Sequence, residues 1–182
     1  MSVYISLLRG INVSGQKKVN MKELKALYEL LNFKHVTTYI QSGNVVFSCV
    51  EQTVDQLKVT IEAAIKKHFE LDVPVLILSK QALENALLQL PFNNISIKEQ
   101  GSQVIFSFLS HDVSRNKIET LDSHLAPLET LAAGNNVVYL HCPNGYGKTK
   151  ISNNFLEKKL NVTATSRNLK TIVKLCELSK SI

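Results

Sequence analysis

The sequence predicts an α+β protein built from two consecutive β-α-β-β-α-β units, and three observations predict it. Apolar spacing switches between alternation and a helical period of about 3.6 in that order over residues 1–79. The same order returns from residue 103 onward, with one helix added at the end. The two passes also echo each other, Ser42-Gly43-Asn44-Val45-Val46-Phe47 against Ala133-Gly134-Asn135-Asn136-Val137-Val138-Tyr139.

Val3–Leu8 is a run of β-branched, aromatic and aliphatic residues, the pattern of a buried strand. Arg9–Asn20 is a loop containing Gly and Lys. Asn20 with Glu23 makes a capping-box-like start for a helix that carries Met21, Leu24, Leu27, Tyr28 and Leu31, with Asn32 as its stop. Val36–Cys49 alternates on either side of Ser42-Gly43-Asn44 and reads as a hairpin. Thr53 and Gln56 form another capping box, for a long helix with Val54, Leu57, Ile61, Ala64 and Ile65 on one face. Pro74–Leu78 is a strand, Pro being tolerated at its first position. This order is the ferredoxin-like split β-α-β unit, an antiparallel sheet with both helices on one face.

Ser79 caps a helix reaching Leu90, and Pro91-Phe92-Asn93-Asn94 breaks it. The second unit then reads as a strand over Gln103–Leu109 and a short helix capped by Asp112 or Ser114. A hairpin follows, Pro127–Ala132 and Asn136–His141 about Gly134-Asn135. A helix over Lys150–Leu160, a short strand at Val162–Thr165 and an amphipathic helix over Leu169–Leu178 complete it. The expected divisions are a first subdomain at 1–79, a connector at 80–102 and a second subdomain at 103–182.

A composition of 45% hydrophobic and 20% charged residues excludes a disordered chain or a collagen. No apolar run approaches the ~18 residues of a membrane span. The opening MSVYISLLRG reads as a strand and not a signal peptide. Cys49, Cys142 and Cys176 are odd in number and widely spaced, as expected of reduced thiols in the cytoplasm. The net charge is +6, from 21 Lys and Arg against 15 Asp and Glu, and all of it lies in residues 143–182. There, eight basic residues face only Glu157 and Glu177. A localised positive field attracts phosphates, nucleic acid or acidic surfaces, whereas lysines spread over helix faces merely aid solubility.

Three polar stretches are candidates for binding. Cys142-Pro-Asn-Gly-Tyr-Gly-Lys-Thr-Lys150 joins a strand to a helix and places Lys148 and Thr149 after glycines, as in a phosphate-holding turn. It is not a nucleotide-binding P-loop, because Cys142 stands where that motif needs its first Gly. Arg9-Gly10-Ile11-Asn12 opens a second loop, expected to lie at the opposite end of its sheet from Ser42-Gly43-Asn44. Thr165-Ser166-Arg167-Asn168 precedes the last helix; a cation at a helix start points to a nearby anion. The histidines lack metal-ligand spacing, no cofactor motif is present, and no nucleophile–base set or carboxylate pair appears. Val3–Leu8 resembles an RNA-contacting strand, but its partner strand offers only Phe47 for stacking.

Leu7-Leu8-Arg9-Gly10-Ile11-Asn12-Val13, Tyr39-Ile40-Gln41-Ser42-Gly43-Asn44-Val45-Val46-Phe47, Pro91-Phe92 and Tyr139–Lys148 together resemble the family called domain of unknown function 1697. Phe155–Leu160 and Ala164-Thr-Ser-Arg-Asn168 extend the likeness over nearly the whole chain. The resemblance implies a small α+β protein of two subdomains without an established activity. Ser14, where Gly is usual, and Leu169, where an aromatic is usual, depart from the pattern. The shared residues are polar and lie in loops: Arg9, Asn12, Gln41, Ser42, Asn44, Lys148, Arg167 and Asn168, to which the Gly-rich turn adds Thr149 as a candidate ligand-binding residue. Three readings follow. One is a binding protein for a phosphate-bearing ligand, a nucleotide or a nucleic-acid backbone. Another is an interaction module whose polar signatures lock loops. The third is an enzyme acting on a phosphorylated small molecule, which lacks a general base.

Overall fold

The structure, a computed structural model, describes residues 1–182. Its elements run β1 (Ser2–Leu8), α1 (Met21–Leu30), β2 (Lys34–Tyr39), β3 (Asn44–Cys49), α2 (Val54–Phe69), β4 (Val75–Ser79), α3 (Lys80–Leu88), α4 (Ile97–Gln100). They continue β5 (Val104–Leu109), α5 (Arg115–Glu119), β6 (Thr130–Gly134), β7 (Val137–His141), α6 (Asn153–Leu160), β8 (Ala164–Asn168) and α7 (Leu169–Lys180). The strands form two antiparallel four-stranded sheets, ordered β2-β3-β1-β4 and β6-β7-β5-β8. The chain is thus two tandem ferredoxin-like subdomains with a C-terminal helix. By compactness it divides into Met1–Glu84 with Leu175–Ile182, and Asn85–Lys174. The end of α7 therefore groups with the first unit.

In the first unit, local chemistry sets the helix starts. Asn20 Oδ1 accepts from the Lys22 and Glu23 N–H groups at 2.8 and 3.4 Å. Thr53 and Gln56 close a reciprocal box at 3.2 and 3.1 Å. Leu24, Leu27 and Tyr28 of α1 and Leu57, Ile61 and Ile65 of α2 bury one stripe each against the sheet. Phe47 is the hub: Phe33 stacks on it at 4.5 Å and Tyr28 meets it edge-on at 5.5 Å. A polar contact within this core is satisfied, Ser6 Oγ lying 2.7 Å from the Tyr28 hydroxyl, and burial pushes that phenol far above its usual titration range.

The second unit has an aliphatic core on its helix side, including Ile105, Leu109, Val138, Leu140, Leu156 and Leu160. Ser152 caps α6, accepting from the Phe155 N–H at 3.3 Å, so the helix begins three residues later than Lys150. The hairpin turn is Asn135-Asn136, since Gly134 already pairs with Val137. Gly134 is needed for packing: a Cβ there would sit 2.5 Å from the Tyr139 ring.

Two expectations are corrected here. The short strand expected at Val162–Thr165 is β8, Ala164–Asn168, paired with β5 from Ala164↔Leu109 to Asn168↔Ile105 and leading directly into α7. Its polar residues hide the strand because Ser166 faces a hydroxyl partner, Ser107, instead of an apolar one. The echo between the hairpins is also out of register. Tyr4 pairs with Phe47 on the helix side, whereas the equivalent Ile105 pairs with Leu140, which leaves Tyr139 on the other face. A slip of one residue changes faces in a strand.

Candidate functional site

β1 and β3 are antiparallel, with Leu7 opposite Asn44, so the end of β1 lies beside the start of β3. The loop after β1 and the β2–β3 turn therefore share one end of the sheet, and the expectation that they lie at opposite ends is wrong. The Leu8 N–H donates to Gly43 O at 2.8 Å. Gly43 has φ 79°, and a Cβ there would fall 2.6 Å from Leu8 Cβ, so only glycine lets the turn close. The loop before β4 joins the same end, because the Arg9 N–H donates to Pro74 O at 3.0 Å.

Asn12 zips this end together. Its amide donates to Val19 O at 3.0 Å and Gln41 O at 2.9 Å, and its carbonyl accepts from the Val19 N–H at 2.9 Å. Asn12, Ser14 and Lys17 all have positive φ, as do Gly10 and Gly15, so the loop is tightly wound. Asn44 is buried and donates to Tyr39 O at 2.9 Å and Ser42 Oγ at 3.0 Å. Four of the candidates, Asn12, Gln41, Ser42 and Asn44, thus meet in one hydrogen-bonded assembly, with Arg9 at its base. Exposed around it are Gln41, Lys17, Lys18, Val13 and Ile40. Lys17 and Lys18 belong to the Lys-containing loop legible in the sequence, whereas the exposure of Val13 and Ile40 was not legible there, because nothing in spacing distinguishes an exposed Val or Ile from a core one.

The remaining candidates lie in the second unit, at the end of the sheet where β7 finishes and β5 begins. The Cys142 N–H donates to Gln103 O at 2.9 Å. Burial pushes the Cys142 thiol up to about 11, with the Glu129 carboxylate adding to the shift, so it is a poor nucleophile at neutral pH. A 3-10 turn over Tyr146–Lys148 follows, entered through Gly145 at φ 94°. Ser166 anchors this turn: its hydroxyl donates to Asn153 Oδ1 at 2.6 Å and accepts from Tyr146 at 3.2 Å and Ser107 at 2.7 Å. Those partners are far apart in sequence, and only the register of β8 against β5 reveals them.

Above the anchor, Gly147, Lys148 and Lys150 are exposed. Thr149 Oγ1 accepts from the Ile151 N–H at 3.1 Å, a local turn contact. Asn168 caps α7, accepting from the Thr171 N–H at 2.9 Å. Arg167 leaves β8 on the face opposite Ser166. Its Nη1 donates to Ser166 O at 2.8 Å, and burial pulls it down to about 10, so it stays charged at neutral pH. The basic tail is spread over separate elements. Lys158 and Lys159 end α6, where they complement the helix dipole, and Lys180 ends α7. Lys159 also sits 5.8 Å from the Phe155 ring.

The family model described as Protein of unknown function (DUF1697) matches residues 1–139. The solved structure of the conserved bacterial protein SP0830 from Streptococcus pneumoniae is similar over 98% of this chain and 98% of that one, with a TM-score of 0.72 and 24% sequence identity. That likeness is one of fold. No curated protein matches.

Proposed function

The chain belongs to the DUF1697 family, and from that premise we propose that it is a binding protein for a phosphate-bearing ligand, held at the Gly145–Lys150 turn. The observation that carries the reading is Gly147. It has no positive φ and nothing within 4 Å of a Cβ placed there, so no contact inside the protein calls for glycine. A bare backbone is what a phosphate oxygen needs for close approach to N–H groups. Lys148 and Lys150 stand on either side of Thr149 beside it, and the Tyr146–Ser166–Asn153 chain holds the turn in place. The three free thiols favour a cytoplasmic setting.

The test is a salt-graded titration with a nucleoside triphosphate and a single-stranded oligonucleotide, on the parent and on Lys148→Ala/Lys150→Ala. Expected for the oligonucleotide is a salt slope smaller by about 1.4, roughly 0.7 per lost phosphate contact, together with weaker binding. The reading ends if the parent binds neither compound at micromolar concentrations.

A second reading, an interaction module with locked loops, is favoured by Asn12 and Asn44, whose amides are spent on the protein itself. In that case Asn12→Ala lowers stability by about 2 kcal/mol, seen as a drop in Tm, while ligand screens stay empty.

A further inference from the structure

Every open sheet ends in strands with unpaired N–H and C=O groups, and proteins usually guard such edges. Three of the four edges here are guarded. Pro74 precedes β4, and the Glu62 carboxylate accepts the Val75 N–H at 2.8 Å. The Glu157 carboxylate accepts the Ala164 N–H of β8 at 2.9 Å. On β2 the register shifts between Lys34 and Thr37, and His35 has φ 52°, which bends the strand away from a regular ladder.

The fourth edge, β6, is different. Thr130-Leu131-Ala132-Ala133-Gly134 holds no charge and no Pro, and it pairs with β7 without interruption at all five positions. Alternate residues of such an edge strand direct their N–H and C=O groups outward. A cleft of about 650 Å³ runs along it. One wall includes Arg115, Glu119 and Asp122, and Gln89, Pro91 and Tyr139 contribute elsewhere to the lining. The residues on the strand itself shrink to Ala132, Ala133 and Gly134, which leaves room for a second backbone at the ~4.8 Å spacing of a sheet.

We propose that the β6 edge takes up an extended peptide segment of a partner protein as an added strand, with a basic side chain of that segment meeting Glu119 and Asp122. The strand's open backbone supplies affinity through main-chain hydrogen bonds, and the cleft supplies side-chain selection. The charge complementarity sets the occupant: two carboxylates against the single Arg115 leave the cleft acidic in a protein that is basic overall. The inference stands apart from the phosphate reading, which concerns the opposite end of this sheet.

The probe is a synthetic octapeptide alternating Val with Lys, compared with its Val-Glu counterpart and with a Val-Lys version N-methylated at alternate residues. Binding is followed by fluorescence anisotropy, and amide hydrogen exchange is read at residues 130–134 of the intact protein. Expected are exchange protection of β6 by the Val-Lys peptide, loss of protection with the N-methylated peptide, and weak or absent binding of the Val-Glu peptide. Glu119→Gln/Asp122→Asn, both exposed positions, should weaken Val-Lys binding about threefold to fivefold per lost pair, while their circular dichroism matches the parent. Equal protection by the N-methylated peptide, or no protection by either charged peptide, overturns the proposal. So does protection of β6 by self-association without any peptide, which would make a second copy of the chain the occupant.

Discussion

The two units solve the same construction problem with the same hydrogen bonds and then diverge at their loops. The Leu8 N–H reaches Gly43 O at 2.8 Å, and the Leu109 N–H reaches Asn136 O at 2.9 Å. The Arg9 N–H reaches Pro74 O at 3.0 Å, and the Ser110 N–H reaches Thr163 O at 2.9 Å. Glu62 latches β4 as Glu157 latches β8. Yet α1 and α2 have 10 and 16 residues, whereas α5 and α6 have 5 and 8. The long loop after β1 winds into a zipped assembly around Asn12; its counterpart after β5 is the short stretch 110–114. The difference teaches that shared ladder contacts specify the frame, while loop and helix length decide which end is closed over and which edge stays open.

Substitution at the hairpin turns breaks the comparison most strongly. Gly43→Ala should cost about 3 kcal/mol, combining a contact at 2.6 Å from Leu8 Cβ with an unfavourable φ of 79°. Denaturant unfolding measures it, and a loss under about 1 kcal/mol would show that the turn can relax.

Next in size is alkaline destabilisation, which tests both units through one thiol each. Burial raises Cys142 and Cys176 from 9.0 to about 11, assisted by nearby carboxylates. The folded state therefore holds these protons after the unfolded chain has lost them. Their contribution is complete below pH 9 and is lost as pH rises to about 11. The expected loss is about 1 kcal/mol per thiol, since screening by solvent reduces the full effect. Cys142→Ala and Cys176→Ala should each flatten part of that slope in stability measured between these pH values.

A comparable effect sharpens the claim that the latches are equivalent. Glu62→Ala and Glu157→Ala should each cost about 1.5 kcal/mol by leaving a strand N–H without its carboxylate. Unequal losses, differing by more than about 1 kcal/mol, would show that one latch has a further task. Smallest of all is Gly147→Ala, expected to change stability by less than about 0.5 kcal/mol, because nothing lies near its Cβ. Any larger cost would give Gly147 a structural reason and remove the observation behind the phosphate reading.

Much of the frame could be read directly. Caps work over three residues, so Asn20, Thr53 and Gln56 announce α1 and α2 from the chain alone. The candidate site was less accessible. Asn12 and Gln41 are separated by 29 positions, and the bond between them depends on β1 and β3 running antiparallel. Nothing local marks Ser166 as an anchor, since its partners Ser107 and Tyr146 are 59 and 20 positions away. Charge summed along the chain leaves a localised field and lysines spread over helix faces equally open, and only the fold shows that these lysines occupy separate elements.

Alternation, helical spacing and capping residues determined the element order and the α+β class, because those signals act between near neighbours. Tertiary structure alone decided which loops share an end, which face each aromatic enters and which sheet edge is left without a guard. Those outcomes depend on strand register, where a shift of one residue exchanges inside for outside without altering composition or local pattern.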